Sequence, residues 1–203
     1  MAPGLSDQEA ALIRESIRDK YSRVAASGAV SCFQYPTGQE GLRQQQYPLD
    51  LIRDFPPSLI DSFLGVGNPF SLGPIYQGEA VLDIGCGAGF DALLAARMVG
   101  PSGRVAGIDV TPAMIDKARE HAAALGMSHA EFRVGEAESL PFPDDAFHVV
   151  ISNGVLNLTL DKARALAEAH RVLKPGGRLL LADMVLVAAL PPELAGKIDN
   201  WYQ

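Results

Sequence analysis

The stretch VLDIGCGAGF, Val81 to Phe90, decides how this chain folds. A short apolar run stops at three glycines in alternate positions, Gly85, Gly87 and Gly89. A helical pattern, DALLAARMV, then begins at Asp91. Strand, glycine turn and helix in that order make a βα unit that brings a ligand close to the main chain. Gly85 permits the sharp turn, Gly87 the close approach, and Gly89 the packing of helix on strand. The next apolar run, RVAGI at 104–108, ends on Asp109, where an acid is placed to meet a ribose diol. The glycines by themselves accommodate a dinucleotide, another adenosine cofactor or a plain tight turn. Asp83, two residues before the first glycine, tilts the choice. A carboxylate there attracts the ammonium of an amino-acid cofactor and repels a pyrophosphate.

Outward from this unit the pattern repeats. Thr111 stands at an N-cap position with Pro112 at the first helical residue. Ile115, Ala118, Ala122 and Leu125 then share one face, and Gly126 stops the helix. Further strands are predicted at 131–134, 148–152 and 178–187. A helix from Asp161 to Leu173 comes before the last of them, and KPGG turns the chain into it. Strands alternating with helices predict an α/β fold, a Rossmann-like doubly wound and mostly parallel sheet covered on both faces. Upstream, Ser6 and Glu9 have capping-box spacing, and Ala10, Ile13, Ile17, Tyr21 and Val24 make one apolar helix face. Residues 26–50 read as a loop, and 50–65 as short helices broken at Pro56 and Pro57. The expected division is an N-terminal helical cap and loop over 1–70, a cofactor-binding domain over 71–190, and the start of a C-terminal region over 191–203.

Composition narrows the classes. The chain has 203 residues, 48% of them hydrophobic and 20% charged, with a net charge of −7. That balance fits one soluble domain and argues against a nucleic-acid partner, which calls for a basic face. No apolar run approaches the roughly 20 residues that span a bilayer, and no signal peptide is visible. A cytoplasmic setting is expected. Cys32 and Cys86 have no metal-ligand spacing, nor do His121, His129, His148 and His170, so no metal is expected.

Four segments taken together, VLDIGCGAGF (81–90), GIDVTPAMIDKAR (107–119), GEAESLPFPDDAFHVVIS (135–152) and RVLKPGGRLLLAD (171–183), resemble the motif set of class I S-adenosylmethionine-dependent methyltransferases. The resemblance implies S-adenosylmethionine as cofactor and a small-molecule acceptor. It places Gly85 and Gly87 under the methionine and ribose, Asp109 on the ribose hydroxyls, and the Ala137 backbone at the adenine, with Glu136 or Glu138 near its amine. Cofactor contacts are thus expected from Asp83, Gly85, Cys86, Gly87, Gly89, Asp109, Val110, Glu136, Ala137, Glu138 and Asn153. The family's sheet has seven strands and five are visible here, so C-terminal strands are expected to be missing from this sequence.

Within that superfamily the stretch from about Asn68 to Leu190 is similar to arsenite methyltransferases, above all SNGVLNLTLDK at 152–162. Tyr21 falls where that family has a tyrosine covering the cofactor. Acceptor contacts are expected from Tyr21, Gly154 and Asn157. The family carries thiols at two positions occupied here by Val66 and Gly154, and arsenic(III) needs two or three soft sulfur ligands held together. A metalloid acceptor therefore stands beside other readings. These are carbon or oxygen methylation of a small organic molecule, an inactive cofactor-binding fragment, and a nicotinamide dehydrogenase. No catalytic residue is assigned. Displacement at a sulfonium needs position and a dry pocket rather than an enzymic nucleophile, so the neutral Asn153, Gly154 and Asn157 suffice at the sheet edge.

Overall fold

The computed structural model describes residues 6–27 and 33–185. It holds β1 (Ala80–Ile84), β2 (Arg104–Asp109), β3 (Ala130–Val134), β4 (Phe147–Asn153) and β5 (Leu173–Ala182). These form one parallel sheet in the order β3-β2-β1-β4-β5. Between them run α5 (Phe90–Val99), α6 (Pro112–Ala124) and α7 (Lys162–Val172), preceded by α1 (Asp7–Ser27), α2 (Gly38–Gln44), α3 (Leu49–Ile52) and α4 (Pro57–Asp61). The chain reverses its winding between β1 and β4, so a crevice opens beyond the C-terminal ends of those two strands.

Alternation along the strands sets the two faces. Val81, Val105, Val149 and Ile151 pack with α5 and α6, while Leu82, Ile84, Ala106, Ile108 and Val150 pack with Ala165, Ala169 and Val172 of α7. β1 is buried along its whole length, as a central parallel strand must be. Nearly every residue of α5 is buried too, which explains its apolar sequence on all sides. Each fully buried leucine, Leu93 and Leu94 among them, contributes about 2 kcal/mol by leaving water.

The capping box of α1 is formed: Ser6 N donates to Glu9 Oε2 at 2.8 Å, and Glu9 N donates to Ser6 Oγ at 3.3 Å. Ala10, Ile13, Ile17 and Val24 are buried as the periodicity requires.

Two segments depart from the sequence reading. Residues 38–52 are not loop throughout but carry α2 and α3, with Leu42 and Tyr47 buried in the core. Helices of seven and four residues have too few turns to show a period. KPGG, in turn, is a bulge inside β5 rather than a turn before it. β5 advances from Leu173 to Arg178 while β4 advances only from Phe147 to Val149. Cys32, the predicted strand end at 186–187 and the region after 190 lie outside the described residues. Among the described residues no helix is long and apolar enough to cross a membrane.

Candidate functional site

A cleft of about 940 Å³, solvent at its open mouth included, occupies the crevice. Its floor is Gly85, Gly87, Asp109, Val110 and Thr111, and one side is Glu136, Ala137 and Glu138. The other side is Asn153, Gly154 and Val155, and α1 roofs it with Arg14, Ile17, Arg18 and Tyr21. Ten predicted residues thus share one space: Tyr21, Gly85, Gly87, Asp109, Val110, Glu136, Ala137, Glu138, Asn153 and Gly154.

The glycine turn is built as its spacing requires. Gly85 and Gly87 have φ of +74° and +51°, in the left-handed region that favours glycine. A Cβ on Gly85 would sit 2.2 Å from Val155 Cγ2, whereas one on Gly87 would meet nothing within 4 Å. The turn is therefore packed at its start and open over the cavity. Asp109 accepts from Gly87 N at 3.0 Å through one oxygen and from Thr111 N at 2.8 Å through the other. Its backbone bonds fix the carboxylate beside the open turn. They also oppose the burial that raises its pKa. Thr111 is the N-cap of α6 but makes no side-chain capping bond.

Four predicted residues lie off the cavity wall. Asp83 points to the α5 face and is 2% exposed; it takes the Ala92 amide, and its Oδ2 has no partner. The Cys86 thiol is buried, donates to Gly87 O at 3.6 Å, and is pushed well up in pKa by that burial, so it is inert. Gly89 caps α5, where a Cβ would lie 3.0 Å from that of Ala118. Asn157 sits on the 3-10 turn Leu156–Leu158, with its backbone N–H donating to Asp183 Oδ2 at 3.2 Å. The histidines serve the frame. His121 bonds Ala88 O and Ser58, His129 bonds Ala96 O, His148 accepts from Ala80 N, and His170 is exposed.

Several groups escaped the sequence reading. Arg14 and Arg18 reach Glu136 at 4.0 and 3.4 Å across the cavity rim. They share the helix face of Tyr21, so helical spacing alone was enough to find them. Tyr47 and Asp91 meet Asn153 in the interior. Tyr47 donates to Asp91 Oδ1 at 2.8 Å, and Asn153 Nδ2 donates to Asp91 Oδ2 at 3.0 Å. Nothing local announces a contact between residues so far apart in sequence.

Burial raises the pKa of Asp91 to about 6 against the hydrogen bonds from Asn153 and Tyr47, and burial likewise raises Asp83 and Asp109. An acid with a raised folded pKa binds its proton more tightly when folded. Its contribution is present below the unfolded pKa and is lost as pH climbs from about 4 through about 6. For Asp91 the loss is of the order of 3 kcal/mol. Thermal melts are therefore expected to peak on the acidic side of neutrality, and Asp91→Asn to flatten the decline above pH 5. A wild-type melting temperature that rises steadily from pH 5 to 8 rules this out.

Comparison with known proteins places this geometry. A family model described as a methyltransferase domain matches residues 75–202. An arsenite methyltransferase of Halobacterium salinarum is 38% identical over 97% of this chain and 53% of its own length. A ubiquinone/menaquinone biosynthesis C-methyltransferase of Pasteurella multocida is 42% identical over 63% of this chain and 47% of its own. Among solved structures, an arsenic(III) S-adenosylmethionine methyltransferase from Chlamydomonas reinhardtii superposes with a TM-score of 0.65 at 38% identity. The match covers 81% of this chain and 56% of that one. The chain spans about half the length of the curated relatives it matches.

Proposed function

This chain belongs to the class I S-adenosylmethionine-dependent methyltransferases, and from that premise we propose that it carries a methyl group from this cofactor to a small acceptor at the Gly154 side of the cavity. The observation that carries the proposal is the pairing of an open Gly87 with the fixed Asp109 carboxylate on one cavity floor. The residues present fit the cofactor: a carboxylate for the diol, bare backbone for close approach, and space for an adenosyl group. Bound, the cofactor supplies the activated methyl carbon.

The chain's own residues hold and enclose. Asp109 receives the ribose hydroxyls, and Glu136 to Glu138 flank the base. Ile17 and Tyr21 of α1 keep water from the centre. Of the N-terminal segment, the described helix α1 acts as the cap over this cavity. Each acid on the wall is already engaged. Glu136 faces Arg14 and Arg18, Glu138 accepts from Leu160 N at 3.0 Å, and Asp109 holds two amides. An acceptor that brings its own lone pair or arrives as an anion needs no base from these residues.

An organic acceptor is favoured. The two positions at which the resemblance implies thiols lie side by side, and a Cβ at Gly154 would sit 3.3 and 3.4 Å from the Val66 methyls. A valine and a glycine stand in place of the soft ligands that arsenic(III) requires. The metalloid reading is kept by the Halobacterium salinarum relative, which matches nearly the whole chain.

Calorimetry tests the cofactor. S-adenosylhomocysteine is expected to bind and NAD not to. Binding of NAD alone ends the proposal. Turnover assays with arsenite and with phenolic or quinol acceptors separate the two acceptor readings.

A further inference from the structure

The amide of Asn153 is fully committed. Its Oδ1 accepts from Val66 N at 2.8 Å and from Gly67 N at 3.1 Å, and its Nδ2 donates to Gly67 O at 2.8 Å. The remaining Nδ2 hydrogen goes to Asp91, near the start of α5, directly after the glycine turn. Tyr47 completes the set by donating to Asp91. Three hydrogens meet four acceptor oxygens, two on Asp91, one on Gly67, and the Tyr47 hydroxyl oxygen 3.1 Å from Asn153 Nδ2. The backbone at 65–67 cannot move aside independently. A Cβ on Gly65 would stand 2.2 Å from Asn153 Nδ2, and one on Gly67 would stand 2.8 Å from Ala182 Cβ. Asn153 meanwhile lines the cofactor cavity, and Gly154 beside it faces Val66.

We propose that Tyr47 and Asp91 are positioning residues: they hold Asn153 so that the segment Gly65–Val66–Gly67 is locked over Gly154, and they transmit occupancy of the cofactor cavity to that acceptor-side wall. The second half rests on the methyltransferase reading; the first does not. The set also closes when Asp91 is neutral. Tyr47 then accepts from Asp91 and donates instead to Gly67 O, which it already approaches at 3.2 Å. Asp91→Asn can make the same two bonds, donating one N–H to the Tyr47 oxygen and accepting from Asn153 at its carbonyl, with one N–H added, whereas Tyr47→Phe has no substitute for the hydroxyl. The titratable groups facing Asp91 are Tyr47 and Asp83, and no arginine or lysine pairs with either acid among the described residues.

Hydrogen exchange of the Val66 and Gly67 amides tests the proposal in the intact chain, with and without S-adenosylhomocysteine, by protection factors corrected for intrinsic rates. Without ligand, Tyr47→Phe is expected to cut protection of these two amides by about tenfold and to spare the β1 amides, as loss of one hydrogen bond to a charged group implies. Asp91→Asn is expected to retain it. With ligand, the wild type gains protection at both amides. Tyr47→Phe binds S-adenosylhomocysteine within a few-fold of wild type but shows no such gain. Equal protection in wild type and Tyr47→Phe overturns the positioning role. Ligand binding that leaves both wild-type amides unchanged overturns the transmission. Failure of the wild type to bind S-adenosylhomocysteine overturns the transmission together with the methyltransferase reading, while the ligand-free comparison still decides the positioning role.

Discussion

Gly87→Ala is expected to fold and to lose its cofactor, while Gly85→Ala loses the fold of the turn itself. Both glycines have positive φ, which costs an alanine about 1–2 kcal/mol. They differ in what the new methyl meets. At Gly87 it enters open cavity, so the stability cost ends there. The same methyl then stands where the ligand must approach the backbone. Overpacking of about 1–3 kcal/mol there weakens S-adenosylhomocysteine by roughly 10- to 100-fold. At Gly85 the methyl runs into both branches and the Cβ of Val155, at 2.2, 2.6 and 2.9 Å. Val155 follows β4, and yielding there pulls the lip of the cavity out of place. Melting temperature and calorimetry on the two variants check the contrast. A Gly87→Ala protein with wild-type affinity removes this turn from the ligand's path.

The second large effect is expected at Asp109. Asp109→Ala deletes the proposed acceptor for the ribose hydroxyls and strands the Gly87 and Thr111 amides, each costing about 1–3 kcal/mol if left unsatisfied. Asp109→Asn keeps the side-chain volume and one acceptor oxygen but turns an N–H toward one of the two amides, so the ligand's share is read from the comparison with an analogue. Affinity for S-adenosylhomocysteine should fall by about 100-fold, as loss of charge-assisted bonds to two hydroxyls implies. The deficit should vanish for an analogue lacking both hydroxyls, which the wild type and variant bind alike. A deficit that persists with the analogue assigns Asp109 to holding the turn and not to the diol.

What sequence revealed and what it hid follow one physical division. β1, the glycine turn, β2 and α6 were legible because each is specified locally, by a burial period or by glycines that backbone geometry demands. Asp109 was legible because a strand end puts it in register with the turn. Asp83 was legible as an acid but not in its direction. Alternation sends it to the α5 face, beneath the turn rather than into the cavity. The Tyr47, Asp91 and Asn153 contact depends on three elements folding onto one another, and Tyr47 lies in a stretch too short and too rich in glycine and glutamine to show a period. The β5 bulge was hidden for a related reason: KPGG has the composition of a turn, and only pairing with β4 shows that the ladder continues past it.

The flanking glycines of the 65–67 segment carry a consequence for descent with modification. Because Gly65 and Gly67 are barred by contact from bearing side chains, position 66 is the one place where that segment can vary without shifting the main chain. A single codon change there alters what faces Gly154 and leaves the scaffold and the cofactor floor as they are.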